Sequence, residues 1–435
     1  MSGPHPSFER SLAWLERARR VVPGASQTLS KNPGMFVEGA YPVFLDRGRG
    51  CRVWDVDGNE YIDYILGLAS ITLGYDHPAV TEAVRRQAGE GTIFSLPHPL
   101  EVEVSERLVE IIPCAEMVRF FKTGSEANAA AVRTARAATG RDVVLFCGTS
   151  YHGWHDWYAV TTPRSKGIPK DFAHFVAPFG YNDLPSLERA LDEHHGRVAA
   201  VMLEATFVDR PAPGFLEGVK SLAHRHGALL IFDEIVTGFR WALGGAQEYF
   251  GVVPDLATFG KGMANGLPLA AVVGGAEVMR QLGEDDVFVS STFGGDTIAL
   301  AAARAAIDEY QRRPVIEHLW AVGRRFQEGV RAAAARAGVA VECIGYPVHP
   351  KLITDYRSEE TNHQLMSLFL QETAQHGYLF HFAGFNTSFS HGDDEVDRSV
   401  EACEAAFRVM ASAAADGNIA GRLKGRPYRV AFRRS

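Results

Sequence analysis

Residues 228–235 read ALLIFDEI, an apolar run that ends on two adjacent acids, Asp233 and Glu234. So apolar a run suits a strand buried on both faces, and in an open parallel sheet the carboxyl edge of such strands is where ligands sit. Five more short apolar runs flank it: VRFF (118–121), VVLF (143–146), VAAVML (198–203), LATF (256–259) and LAAVVG (269–274). Helical stretches separate several of them, among them SEANAAAVRTARAATG (125–140) and PSLERALDEHH (185–195). Buried strands alternating with helices predict an α/β fold, its mostly parallel sheet covered by helices on both faces.

Outside this stretch the pattern changes. Past residue 310 the periodicity is helical, and GYLFHFAGFNTSFSH then reads as β-rich ahead of an alanine-rich helix, EVDRSVEACEAAFRVMASAAA. GCRVWDVDGNEYIDY (50–64) alternates apolar and polar residues about Asp57-Gly58, the pattern of a hairpin with a two-residue turn. The chain therefore divides into an N-terminal segment (1–70) that contributes to a smaller α+β domain, a large ligand-binding domain (71–310), and the C-terminal part of the small domain (311–435). Asp55 and Asp57 do not make a calcium loop, because Gly58 stands at the fourth position rather than the sixth.

Composition narrows the function. The 435 residues are 46% hydrophobic and carry a net charge of −8, which argues against nucleic acid or an anionic membrane as partner. The basic stretch from Arg422 to Arg434 reads as a surface tail. Five dispersed cysteines without a CxxC pair suit reduced thiols in the cytoplasm. No signal peptide opens the chain, and no apolar run nears the roughly 18 residues that span a membrane. Many of the 43 glycines fall at strand and helix ends, which favours an enzyme.

Three signals carry chemistry. TGSEAN (123–128) follows a strand and opens a helix, so small residues and free N–H groups form a phosphate cradle unlike a dinucleotide or P-loop motif. Taken alone, Ser125 is more readily an ordinary N-cap. Asp233 at a strand end is costly to bury without a cation, and no histidine or cysteine cluster offers a metal instead. Lys261, in TFGKGMANGLP, sits between Gly260 and Gly262 just past another apolar strand. A lysine in a low-dielectric turn has a depressed pKa and suits a Schiff base, whereas the same residue alone is usually a solvated surface lysine. Cradle, carboxylate and lysine together describe a site for pyridoxal 5'-phosphate.

The run LLIFDEIVTGFR followed by GK resembles the class III aminotransferases, pyridoxal phosphate enzymes of fold type I with a seven-stranded sheet. YPVFLDRGRGCRVWDVDGNEYIDY, LGYDHP, FFKTGSEANAAAVRTARAATGR, YHGWHD, PDLATFGKGMANGLPLAAVVG and STFGG resemble, in order, the subgroup of glutamate-1-semialdehyde aminomutase and its aminotransferase relatives. The resemblance implies that Lys261 forms the internal aldimine and shuttles the proton, and that Asp233 pairs with the pyridinium nitrogen. It also implies that Gly124 and Ser125 hold the phosphate, that Tyr151, next to His152, stacks on one ring face, and that Ile235 packs on the other. Thr292 would reach the phosphate of the partner subunit, so the enzyme would be a homodimer. Glu204 would border the cofactor, although Ala205 replaces the family's proline.

Departures bear on substrate. Lys31 stands where the aminomutase has a carboxylate-anchoring arginine, and a lysine gives a point charge rather than a bidentate fork. Leu68 replaces a tryptophan, an acidic pocket residue has no counterpart in HFAGFNTSFSH, and Gly295-Asp296-Thr297 replaces Gly-Asn-Pro. The resemblance thus implies an aminotransferase passing an amino group, by way of pyridoxamine phosphate, from an amino-acid donor such as glutamate to a carbonyl acceptor in a specialised biosynthetic pathway. The alternatives are an intramolecular aminomutase, with 152–172 as a lid, an epimerase, or a non-catalytic pyridoxal phosphate-binding protein. The last is disfavoured because Lys261 and Asp233 are both present.

Overall fold

The computed structural model describes residues 6–283, 287–356 and 358–429. Among the described residues thirteen strands follow in chain order: β1 (Leu45–Arg49), β2 (Arg52–Asp55), β3 (Glu60–Asp63), β4 (Met117–Phe121), β5 (Val143–Cys147), β6 (Val176–Phe179), β7 (Val198–Leu203), β8 (Leu229–Asp233), β9 (Leu256–Phe259), β10 (Ala270–Gly274), β11 (Val341–Tyr346), β12 (His349–Thr354) and β13 (Tyr378–Leu379). The chain forms two compact units. One is Pro78–Ile316, and the other joins the residues up to His77 with those from Glu317 onward. No helix among the described residues is long and apolar enough to cross a membrane.

The larger unit is built on a seven-stranded sheet in the order β4-β10-β9-β8-β7-β5-β6. Its pairings are parallel from β6 to β9, and β10 runs antiparallel to both neighbours. Every residue of β5, β7, β9 and β10 is buried, as continuous apolar strands require. The sheet places β8 at its centre, so Asp233 lies at the carboxyl end of a strand with covered neighbours on both sides. The sequence pattern missed β6, because Pro178 interrupts it. A proline fits a strand only where its missing N–H is not needed, and β6 is an edge strand.

In the smaller unit β1-β2-β3-β13 form one sheet, with β13 parallel to β3, and β11-β12 form a hairpin. The β2–β3 turn has three residues rather than two: Asp55 N–H meets the Asn59 carbonyl, and Gly58 closes the turn at φ 92°. The stretch expected to be β-rich after residue 377 yields only the two residues of β13. Its backbone bonds are scattered instead of forming a ladder, Phe385 N–H to Pro350 at the start of β12, and Asn386 N–H to Tyr64 and Phe389 N–H to Thr72 in loops. The basic tail is pinned as far as it is described. Arg429 N–H donates to the Gly34 carbonyl (2.6 Å), and the buried Tyr428 ring stacks on Phe382 at 4.3 Å. The rest of the tail, from 430, lies outside the described residues.

Candidate active site

The helix Gly124–Thr139 begins at the cradle motif. Its N-cap is Thr123, whose hydroxyl accepts from Glu126 N–H, while the Glu126 carboxylate accepts from the N–H groups of Lys122 and Thr123. This capping box leaves Ser125 free of capping duty, and its hydroxyl instead accepts the Trp154 N–H at 3.3 Å. The first turn therefore offers the N–H groups and hydroxyl expected of a phosphate cradle.

The two acids at the end of β8, Asp233 in the strand and Glu234 just past it, part company, as successive residues there do. Glu234 is fully buried and serves structure: it accepts from Ala246 N–H (2.6 Å), Gln247 N–H (2.9 Å) and the Thr237 hydroxyl. Burial pushes its carboxyl up to about 7. Asp233 is 3% exposed and accepts from His152 Nδ1 (2.8 Å), Asn128 Nδ2 (2.7 Å) and Ile235 N–H (3.1 Å). His152 is wholly buried.

Lys261 opens a short 3-10 turn, Lys261–Ala264, with its own backbone at φ 42°. Tyr310 fixes that turn by donating to the Gly262 carbonyl at 2.7 Å. Desolvation lowers the Lys261 amine below the ordinary lysine range; Glu204 and Asp233 oppose the shift, and the buried Arg240 adds to it.

Ile235 joins the three signals. A Cβ on Gly124 would lie 3.1–3.3 Å from the Ile235 side chain, and one on Gly260 would lie 3.1 Å from its Cδ1. The two glycines let the cradle helix, the end of β8 and the Lys261 turn close around this one side chain, which a Cβ at either position would press by a few tenths of an ångström. Tyr151 lies beside them, 55% exposed, with its N–H on Glu204 Oε2 at 2.9 Å. Burial raises the Tyr151 phenol, and the charges of Asp233 and Glu204 raise it further. Thr292 stands on an exposed turn of the same unit. Asp296 explains its departure from the family there: it caps the helix Thr297–Arg312 and pairs with Lys122 Nζ at 3.0 Å.

Lys31 and Leu68 belong to the smaller unit. Lys31 is exposed at the end of a 3-10 turn, and its charge lowers the buried Asp63 carboxyl, which desolvation raises overall. Leu68 sits in a left-handed turn at φ 63°. Among the residues the sequence reading did not single out are Asn128 and Thr258. Their one sequence signal is a polar side chain inside an otherwise apolar element, as in LATF.

These residues fit pyridoxal phosphate on structural grounds. A buried carboxylate is already held by three donors, a Cβ on Gly124 or Gly260 would press on Ile235, and a lysine amine is kept below its usual range. Among the described residues no group of His, Cys, Asp and Glu could hold a metal ion.

The class III aminotransferase family profile matches residues 36–384. The 3-aminobutyryl-CoA aminotransferase of Cloacimonas acidaminovorans (strain Evry) is 38% identical over 413 residues, covering 90% of this chain and 95% of that protein. The glutamate-1-semialdehyde 2,1-aminomutase of Syntrophobacter fumaroxidans (strain DSM 10017 / MPOB) is 35% identical over 425 residues, covering 92% and 97%. Of solved structures, the pyridoxal phosphate internal aldimine form of the FumI protein of Sphingopyxis sp. MTA144 matches with TM-score 0.88 at 28% identity, over 96% of this chain and 99% of that one. An omega-transaminase from Sphaerobacter thermophilus matches with TM-score 0.85 at 28% identity, over 92% and 98%.

Proposed function

The chain belongs to the class III aminotransferases and is a pyridoxal phosphate-dependent transaminase, and from that premise we propose how its own residues divide the work. Bound pyridoxal phosphate supplies an aldehyde to carry the amine and a pyridinium ring to withdraw electron density. Asp233 holds the proton on the ring nitrogen. Gly124 and Ser125 bind the phosphate through backbone N–H groups and hydroxyl at a helix N-terminus. Tyr151 and Ile235 confine the ring between them and exclude water, and Glu204 and His152 hold Tyr151 and Asp233 in place. Lys261 Nζ, its basicity lowered by burial, would move the proton between the amine-bearing carbon of the substrate and the carbon of the cofactor that carries the nitrogen, in one direction in each half of the cycle. Thr292 completes the phosphate site of a partner subunit in a homodimer.

On the family resemblance, Lys31 and Leu68 are the substrate contacts, with Lys31 offering a single cation. The named relatives act at carbon 3 of an acyl chain or between carbons 2 and 1 of a semialdehyde. They support an amino-acid donor and an acceptor whose carbonyl does not adjoin a carboxylate. Five cysteines, all unpaired and buried, support a reducing compartment such as the cytoplasm.

The observation that carries this reading is the closure of Gly124, Gly260 and the end of β8 around Ile235, which supports one site for cradle, acid and lysine. An absorbance titration of the holoenzyme with single amine donors tests it. Bleaching of the visible cofactor band with one equivalent of carbonyl product is expected, and a band that no donor bleaches would move the reading toward aminomutase or epimerase. The Lys261→Ala variant should still bind the cofactor yet lose at least about 10³-fold in rate, within the range for a missing acid–base group. Retained turnover would remove Lys261 from its role.

A further inference from the structure

Asp233 has three protein donors, and they are unevenly shared. Oδ2 takes two, Asn128 Nδ2 at 2.7 Å and His152 Nδ1 at 2.8 Å, whereas Oδ1 takes only the Ile235 N–H at 3.1 Å. An ionised carboxylate has about four lone-pair sites, two on each oxygen. Oδ2 is therefore saturated, and one site stays open on Oδ1.

What aims Asn128 is a second contact. The Thr258 hydroxyl donates to Asn128 Oδ1 at 2.6 Å. The carboxylate can only accept, so the amide turns its NH₂ end to Asp233 and its carbonyl end to Thr258, whose hydroxyl donates its single hydrogen there and anchors the amide. Turned over, the amide would set an oxygen against the carboxylate and leave the hydroxyl facing an NH₂ group. Thr258 is itself held by the sheet. It stands opposite Asp233 in the β8–β9 register, and its carbonyl accepts the Glu234 N–H at 2.9 Å. Asn128, Thr258 and His152 are all at most 2% exposed, so water does not substitute for them. Asn128 rides on the same helix whose first turn is the phosphate cradle.

We propose that Thr258 and Asn128 are positioning residues that, with His152, saturate Asp233 Oδ2 and so present Oδ1 as the one acceptor for the ring nitrogen of the cofactor. The relay makes the orientation of the carboxylate a property of the sheet and the cradle helix together. It rests on the reading of Asp233 as the partner of that nitrogen.

The test uses holoenzyme reconstituted with pyridoxal phosphate labelled with ¹⁵N in the ring, together with cofactor affinity measured by fluorescence titration. Thr258→Val keeps the shape and deletes the hydroxyl, and Asn128→Ala deletes the donor itself. Each should weaken cofactor binding about tenfold or more, the scale of a lost hydrogen bond to a charged group. Each should also move the ring ¹⁵N signal toward the unprotonated position, and Thr258→Ser should restore both readouts. A purely structural role would lower the melting temperature of the cofactor-free protein while leaving the ¹⁵N signal where it is. If both variants keep wild-type affinity and ¹⁵N shift while Asp233→Ala loses them, the relay is wrong and the role of Asp233 stands. If Asp233→Ala changes neither readout, both fall.

Discussion

Four successive residues of the smaller unit, Leu66, Gly67, Leu68 and Ala69, have φ of 50°, 58°, 63° and 71°. Only one is glycine, and each L-residue held there costs roughly 1–2 kcal/mol. Such strain persists where the surroundings over-determine it. Here the Asp63 carboxylate accepts from Ile65 N–H (2.7 Å), Leu66 N–H (3.1 Å) and the Tyr75 hydroxyl (2.7 Å), and Ser70 Oγ donates to the Gly67 carbonyl (2.9 Å). Ala69 is 4% exposed, so Ala69→Gly relieves the strain but gives up a buried methyl group worth about 0.8 kcal/mol. The extra backbone freedom that glycine gives the unfolded chain costs about 0.5–1 kcal/mol more, and the terms roughly cancel. A urea midpoint close to that of the wild type, with unchanged KM, is the expected result. Leu68→Gly relieves the same strain but removes a side chain proposed to meet the substrate, so it should move KM as well. If Ala69→Gly lowers the urea midpoint, the turn is not strained.

At the scale of an element, the end of β8 shows one strand serving two purposes. Its acid facing the site is held by polar donors from three elements, and its neighbour Glu234 is locked into the fold with a carboxyl pushed up to about 7 by burial. An ordinary carboxyl at 4.5 in the unfolded chain binds its proton less tightly than this folded one. Glu234 therefore contributes stability that is complete below about pH 4.5 and is lost as pH rises through about 7. The gap of roughly two and a half units is worth on the order of 3 kcal/mol. Glu234→Gln, which does not titrate and turns an NH₂ toward existing donors, should be less stable than wild type at pH 5. The difference should shrink by up to that amount at pH 8, as read from denaturant unfolding at both values. A difference independent of pH would show that Glu234 is ionised throughout. This strand also shows what the sequence makes legible. β5, β7, β8, β9 and β10 are visible as apolar runs because burial on both faces leaves no alternation to confuse. Lys261 and Asp233 are visible because a charge beside glycines or at an apolar strand end has few structural reasons to be there. Thr258 and Asn128 are not visible, since their bond joins residues 130 positions apart and neither carries charge. The residues after 377 mislead because aromatic content favours strands, while their N–H groups go one by one to separate segments of the same unit.

At the scale of the molecule, the larger unit keeps large apolar side chains in the open around Thr292: Leu96 is 78% exposed, Phe288 79% and Phe293 58%. One backbone and one side-chain hydrogen bond hold the segments that carry them. Thr297 N–H donates to the Thr92 carbonyl (3.0 Å), tying the loop that carries Ile93, Phe94 and Leu96 to the turn that carries Thr292 and Phe293. The Arg133 guanidinium holds the Phe288 carbonyl at 2.5 Å. An apolar surface of this kind is expected to be covered by another protein surface, and a second copy of the chain, offering its own Thr292, is the partner the proposed site needs. The arrangement makes a prediction that a monomer cannot satisfy. Thr292→Glu should repel the phosphate and cripple activity, and Lys261→Ala should abolish it, so homodimers of either variant are inactive. In a mixed dimer, the chain with Thr292→Glu still supplies Lys261, and the chain with Lys261→Ala supplies an intact Thr292 to that same site. Co-expression under two affinity tags and purification of the hybrid should therefore recover one working site per dimer, about half the wild-type rate per mole of dimer. If Thr292 serves its own subunit, both sites of the hybrid stay broken and no activity returns. Sedimentation of the wild-type protein at dimer mass, with inactive hybrids, would keep the dimer and discard the exchange of Thr292 between subunits.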